Sequence, residues 1–312
     1  MDIQAVKQTL RGPMIPVITH LNHDLSLDVA GIKAEVRYLV EHGITTGQGV
    51  LLAVGAGGDF SMLSLEERKL AARAIVEAAA GQTPVVVGAQ DTNVRVMIEL
   101  ARYAEEIGAY GIQFSTPYYY EPSDDDALRL YRTIHEATSA IAIMAYNTFW
   151  HGYDLPFAVL DQLCELERLV ALKWARPDNG APYMQGVARY AHRLAVVDNA
   201  GVWVMNHLLG GTGFITHLAT IWPEHDLAVW KLLEARDYAA AQQKIMAVNW
   251  PWDEFRGKMA ARTSGESPPV KAALELTGRR GGPSRLPSRS LHSAERAELR
   301  ELLLRLGAPN VV

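Results

Sequence analysis

One cysteine, Cys164, stands in 312 residues. It has no partner for an intrachain disulfide, and a thiolate zinc site would need more like it. Its setting, LDQLCELE, has helical spacing, so Cys164 reads as a helix-packing residue rather than a nucleophile. Long apolar runs are also missing. No stretch approaches the roughly 18 apolar residues of a membrane span, and the opening MDIQAVKQTLRGP holds no signal-peptide core. The expected setting is the cytoplasm, with no membrane partner. A basic excess is lacking too: net charge is -5 and the pI is about 6.1. Nothing is set aside for phosphate backbones, so nucleic acid is not an expected partner. Asp124-Asp125-Asp126 is a short acidic helix start, not a tail.

What is present is an ordinary globular composition, long enough for a large core. Short apolar runs recur: 13–19, 50–54, 84–88, 110–114, 140–146, 169–174, 194–198 and 212–216. Each is followed by a helical pattern: 28–42, 64–80, 93–107, 124–138, 156–165, 183–192 and 202–208 lie between them. Ser64 with Glu67 three residues on is a capping-box signature. The runs are apolar throughout rather than alternating, as in strands buried on both faces. Eight such units predict an α/β fold, a (β/α)8 barrel over residues 1–220. A doubly wound sheet would need a glycine fingerprint after the first strand, and MIPVITHLNHD has none. Later segments are purely helical: 224–235, 238–255, 269–276 and 290–306. They predict a C-terminal helical extension, 221–312, packed on the barrel. Within it GRRGGPSRLPSRS reads as an exposed, mobile loop, with anion binding as a minor alternative.

In such a barrel the chemistry lies at the C-terminal ends of the strands. Lys173 closes the sixth run, in LVALKWARPDNG. Tyr146 closes the fifth and is followed by Asn147. GAGGDFS, 55–61, follows the second and carries Asp59. STPYYYEP, 115–122, follows the fourth, and DNAG, 198–201, the seventh. A lysine attacks a ketone only as the uncharged amine, so burial must lower its pKa from about 10.4 towards 7 or 8. The iminium then withdraws electrons, and a bond beta to it can break. A neighbouring phenol can carry the protons. Backbone N–H groups of residues 55–58 can hold a carboxylate. A 2-oxo acid has both the ketone and the carboxylate. A rim lysine in solvent and a packing tyrosine are the plain alternatives.

These residues resemble the dihydrodipicolinate synthase / N-acetylneuraminate lyase superfamily, over Gly12 to about Leu304. GAGGDFSMLSLEER stands in the place of its G-T-T-G-E turn. STPYYYEPS is similar to its Pro-Tyr-Tyr segment. AIAIMAYN and LVALKWA resemble its catalytic strands, with 27 residues between Tyr146 and Lys173 (173 − 146). LLGGTGFIT resembles its eighth strand. The resemblance implies a Schiff-base Lys173, a proton-relaying Tyr146 and a carboxylate turn at Ala56 and Gly57, flanked by Gly55 and Gly58. It implies that Tyr119 reaches a neighbouring subunit's site in a homotetramer built as a dimer of dimers. It implies no metal and no organic cofactor, the carrier being the lysine imine itself. Asn199 and Ile215 join Asp59 and His151 in the expected substrate-binding set.

The departures narrow the chemistry. Ala56 and Gly57 replace a threonine pair, so two hydroxyls are lost. Asp59 replaces a glutamate. NTFWHGYD lacks the arginine that binds the synthases' second substrate, and His151 lies near its place. Trp174 and Arg176 stand where small or acidic residues are usual. GGDFSML and PWDEFRGKMA are similar to the 5-dehydro-4-deoxyglucarate dehydratases, making Arg256 or Arg262 a candidate for a distal carboxylate. Phe149, Trp150 and Trp174 resemble the aromatic crowding of hydratase-aldolases that cleave arylidene pyruvates. His20 and His151 are the histidines placed to titrate near neutrality. The expectation is a Schiff-base aldolase or dehydratase acting on a 2-oxo acid. The alternatives are 4-hydroxy-tetrahydrodipicolinate synthase and a non-catalytic 2-oxo-acid-binding relative.

Overall fold

The computed structural model describes residues 1–312. Eight parallel strands form a closed barrel in chain order. They are β1 (Gly12–Pro16), β2 (Val50–Ala53), β3 (Val85–Gly88), β4 (Gly111–Phe114), β5 (Ala142–Tyr146), β6 (Leu169–Trp174), β7 (Ala195–Asp198) and β8 (Gly213–Ile215). All but the last residue of β8 are buried. That burial on both faces is why the runs carry no polar alternation.

The helices between the strands are α2 (Val29–Glu41), α3 (Leu65–Ala79), α4 (Val94–Glu106), α5 (Asp124–Ala137), α6 (Phe157–Leu163), α7 (Ala181–Tyr190) and α8 (Trp203–Leu208). The capping box at α3 forms as expected, Ser64 Oγ accepting from Glu67 N at 3.2 Å and Glu67 Oε2 from Ser64 N at 2.9 Å. Ser123 and Asp126 repeat the device at α5. Cys164 caps the end of α6, half-buried, and burial pushes its thiol up. The first helix, α1 (Ile3–Thr9), was not expected. It buries only Val6 and so has no apolar stripe to read.

Later helices are α9 (Pro223–Glu234), α10 (Tyr238–Lys244), α11 (Trp250–Thr263), α12 (Ser267–Leu276) and α13 (Ser293–Leu306). The helix expected over 238–255 is α10, a π turn at Ile245–Asn249 and a longer α11. No helix is long and apolar enough to cross a membrane.

The chain divides into two compact units. The first is Met1–Met14, Thr45–Val50 and Thr83–Ile215, and it holds the ladder from β3 to β8. The second is Ile15–Ile44, Leu51–Gln82 and Thr216–Val312. Its core joins Ile18, Leu218 and Ile221 to Trp252, Phe255 and Met259 of α11, Val270 of α12 and Leu303 of α13. The C-terminal helices therefore share a core with early residues of the chain.

The segment expected as an exposed, mobile loop is pinned instead. Arg279 pairs with buried Glu35 at 2.6 Å, Arg280 with buried Asp28 at 2.8 Å and Arg285 with Glu67 at 2.8 Å. Arg285 also donates to the carbonyls of Leu25 and Met62, and Lys271 to that of Pro283. Arg279, Arg280 and Arg285 are counter-ions of carboxylates more than two hundred residues away, which nothing local in the sequence reveals, while Arg289 pairs with nearby Glu295 at 2.8 Å.

Candidate active site

In the first unit, Tyr146 ends β5 opposite Lys173 of β6. The N–H of Asn147 donates to the Lys173 carbonyl at 3.1 Å, which locks this register. Both side chains are buried, and Lys173 Nζ lies 4.1 Å from the centre of the Tyr146 ring. An ammonium over a phenol face is stabilised, yet a lysine this buried has lost most of its water.

Trp174 takes the other face of β6, as the two-residue strand period requires. Its indole N–H donates to the Tyr183 carbonyl at 3.2 Å, and a Cβ at Gly186 of α7 would meet its ring at 2.5 Å. Trp174 is thus strand-helix packing, and the expectation that it crowds the site with Phe149 and Trp150 is corrected. Arg176 lies over its outer side at 5.4 Å and pairs with Asp154 at 2.9 Å. Asn147 closes the loop after β5. Its amide donates to Asp154 at 2.7 Å and to the Ala175 carbonyl at 2.8 Å, and its oxygen accepts from Leu155 N at 2.9 Å.

That loop carries the aromatic group. Trp150 meets the Tyr146 ring edge-on at 5.9 Å and the Phe149 ring at 4.9 Å. His151 lies against Trp150 and Tyr118, and burial lowers its pKa, which favours the neutral ring. Trp150 is 46% exposed, so this wall has an open side. Tyr119 is 80% exposed and packs edge-on against Tyr120. Within one chain it is not part of the buried pair.

Asn199 follows β7, and its N–H donates to the Trp174 carbonyl at 2.8 Å. Its turn is held by Asp198, which accepts from the N–H groups of Ala200, Gly201 and Val202 and from Tyr183 Oη at 2.5 Å. Burial pushes the Asp198 carboxyl up to about 6 although these bonds oppose it. Ile215 ends β8, paired with Met14.

In the second unit, the turn after β2 is strained. Val54 has φ +45 and Asp59 φ +56, and between them lies a single 3-10 turn, Ala56–Gly58. A β-branched residue with positive φ is rare and costs about 1–3 kcal/mol, so the surroundings must impose it. The surroundings are identifiable. Asp59 is buried, accepts from Ser267 Oγ at 2.7 Å and lies 3.5 Å from Lys271 Nζ. Burial raises the Asp59 pKa and lowers that of Lys271, while each partner opposes the other's shift. Thr19 Oγ1 donates to the Gly58 carbonyl at 2.6 Å. The N–H groups of Gly58, Asp59 and Phe60 bond back to the carbonyls of Gly55 and Ala56. Those of Ala56 and Gly57 precede the first of these bonds.

Glycine is required at two places here. A Cβ at Gly58 would lie 2.9 Å from the Val17 carbonyl. One at Gly57 would lie 2.8 Å from Pro16 Cβ and 2.9 Å from His217 Nε2. A hydroxyl side chain at 57 has no room. His217 was not singled out in the sequence. The only local signal is a histidine two residues beyond β8; what gives it meaning is the missing Cβ at 57.

Other sequence candidates have partners of their own, are exposed or are shifted by burial. Arg256 pairs with Asp253 at 3.4 Å, and Arg262 is exposed near the end of α11. His20 is buried, and desolvation holds its pKa down to about 4, so it does not titrate near neutrality.

A sequence model of the Dihydrodipicolinate synthetase family matches residues 9–306. The chain belongs to that family. A 4-hydroxy-tetrahydrodipicolinate synthase of Clostridium perfringens is 30% identical over 290 residues, covering 89% of this chain and 91% of the relative. A protein of Halobacterium salinarum named as a DapA-like lyase is 26% identical over 299 residues, covering 96% and 94%. YagE, a prophage protein of the dihydrodipicolinic acid synthase family from E. coli K12 solved in complex with pyruvate, superposes with a TM-score of 0.83 at 25% identity, covering 96% of this chain and 99% of its own. Membership makes this chain a lyase of the class I aldolase type.

Proposed function

We propose that the protein breaks or forms a bond of a 2-oxo acid through an iminium on Lys173. The observation that carries this reading is the buried Lys173 amine, 4.1 Å from the Tyr146 ring. The uncharged amine adds to the C2 ketone to give a carbinolamine. Tyr146 delivers a proton to its hydroxyl, water leaves, and the iminium forms. In aldol cleavage the iminium accepts the electron pair of the C3–C4 bond, giving an enamine; in dehydration it accepts the pair of a C3–H bond, and the enamine then expels the protonated C4 hydroxyl as water. Tyr146 carries protons between the leaving group and solvent. Protonation of the enamine and hydrolysis of the imine return the lysine and release the product. The turn at Gly55–Gly58 holds the carboxylate. The carrier is the lysine itself, so the reaction needs no metal or organic cofactor.

Aldol cleavage or dehydration is favoured over dipicolinate synthesis by the turn itself, since Gly57 leaves no space for a hydroxyl. Aromatic side chains of residues 149–151 line the open side, and we assign them the distal part of the substrate. Asn199 and Ile215 complete the lining on this reading, and residues 221–312 act as an extension of the barrel domain. The exposed Tyr119 and Tyr120 support assembly into a homotetramer, which light scattering after gel filtration would measure. The single cysteine suits the reducing cytoplasm, where we place the protein.

Borohydride reduction in the presence of pyruvate, followed by mass spectrometry of the peptides, tests the central step. The expected result is one reduced adduct, on Lys173. No adduct with pyruvate or with longer 2-oxo acids would sink the reading. A 2-oxo-acid-binding protein without catalysis would keep its ligand affinity in Lys173→Ala, whereas the lyase loses all turnover.

A further inference from the structure

The place a side chain at residue 57 would fill is taken by an imidazole. His217 Nε2 lies 2.9 Å from the position of a Gly57 Cβ, and Cδ2 of the same ring 3.3 Å from it. The ring edge therefore forms one wall of the turn. The same Nε2 reaches Glu266 Oε2 at 3.2 Å. The His217 side chain is 7% exposed and that of Glu266 41%, so the pair runs from the turn to solvent. The neighbouring charges are Arg256 and Asp253 of α11. Neither Ala56 nor Gly57 carries a donor beyond its backbone.

We propose that His217, held by Glu266, is the side chain that receives the substrate's carboxylate at this turn, and that it does so as an imidazolium, so that binding takes up a proton. This rests on the reading that the turn binds a 2-oxo acid. Burial, then the Arg256 guanidinium, keeps the imidazole neutral on its own, with Glu266 opposing them. A carboxylate arriving beside the ring adds a second negative group and reverses the balance. The Nε2–H is then shared between Glu266 and the arriving carboxylate, and the proton taken up goes to Nδ1, the other ring nitrogen. The charge-assisted hydrogen bond so formed replaces what a hydroxyl at 56 or 57 would have offered, and it is the stronger of the two.

The test is calorimetry of pyruvate binding at pH 7.5 in two buffers of different ionisation heat, Pipes and Tris. Lys173→Ala serves as the background, so that no imine contributes protons. The difference in heat between the buffers reads the proton count. With His217 present, uptake approaching one proton is expected. With His217→Gln, uptake falls to zero and affinity drops by about 10- to 100-fold, the range of a lost charged hydrogen bond. Glu266→Gln, at a half-exposed position, controls for misfolding. It should reduce uptake and move the pH at which affinity declines downwards. Unchanged proton uptake and affinity in both variants would overturn the proposal. Borohydride trapping in the otherwise unaltered chain separates this from failure of the underlying reading. An adduct on Lys173 together with null results at His217 removes only the imidazolium, whereas absence of any adduct and of any pyruvate binding removes both.

Discussion

The strand ends of β5 and β6 and the turn after β2 hold their functional groups by opposite means. Tyr146 and Lys173 face each other in ladder register, with the Asn147 N–H bonded to the Lys173 carbonyl and the loop closed by Asn147, Asp154 and Ala175. These ladder and loop contacts lie within about thirty residues of sequence. The turn at 54–59 is held in a strained shape by Ser267 and Lys271, 208 residues or more further on. Its neighbour Glu67 is held by Arg285, 218 residues away. One arrangement is local, its ion pair Arg176–Asp154 spanning only 22 residues (176 − 154). The other is distant and ionic. The proposed reactive group is thus placed through a short stretch of chain, and the proposed carboxylate grip depends on the C-terminal third.

The largest expected effect tests the local arrangement. Lys173→Ala should abolish turnover, while Tyr146→Phe should lower kcat by about 10²–10⁴-fold and still permit slow trapping on Lys173. A Tyr146→Phe enzyme with unaltered kcat would remove the phenol from the mechanism. Next, Lys271→Met leaves Asp59 buried without a cation, which costs about 3–5 kcal/mol. Adding Asp59→Asn should recover part of that loss, as read by urea denaturation. If the comparison holds, borohydride still traps Lys173 at saturating pyruvate in Lys271→Met, because register does not involve the pin. Loss of trapping in a protein that remains folded would show that the two arrangements are not independent.

A smaller effect is expected from Gly57→Ala. The new methyl meets Pro16 and His217 and should cost about 1–3 kcal/mol of overpacking. KM for the 2-oxo acid should rise more than kcat falls. An unchanged KM would mean that the turn does not touch substrate. The smallest effect concerns the pinned C-terminal segment. The Arg285 hydrogen bonds hold the Glu67 carboxyl down to about 2, below its ordinary 4.5. A lowered carboxyl stabilises the fold above about pH 4.5, and that contribution disappears as pH falls towards 2. Screening at this partly exposed pair limits it to about 1 kcal/mol. Thermal melts between pH 6 and 3 should fall more steeply for the natural chain than for Arg285→Ala, and parallel curves would remove the pin.

The same contrast decides what could be read in the sequence. The eight strands were legible because each is a short apolar run closed by turn residues, and Tyr146 and Lys173 because they are the polar ends of two such runs. Trp174 was misassigned although the rule that places it is simple: neighbours on a strand face opposite ways, so an inward Lys173 sends Trp174 to α7. The pinned segment was not legible. GRRGGPSRLPSRS has loop composition, and only the burial of Glu35 and Asp28, with Glu67 beside them, turns its arginines into counter-ions. His217 was not singled out because its place beside residue 57 depends on what Gly57 lacks, a fact about three-dimensional space rather than spacing. Arg256 was proposed for a distal carboxylate from local resemblance, and the structure pairs it with Asp253 on its own helix.

The distance between Asp59 and its partners also has a consequence in time. A ribosome adds about 5–20 residues each second, so the 208 residues separating Asp59 from Ser267 take roughly 10–40 s to make. Through that interval the carboxylate has neither its hydroxyl nor its cation, and burying it would be unfavourable. The turn must stay hydrated while the β5–β6 pair can already be in register. During synthesis the turn can therefore take its final form only after Ser267 and Lys271 have been made.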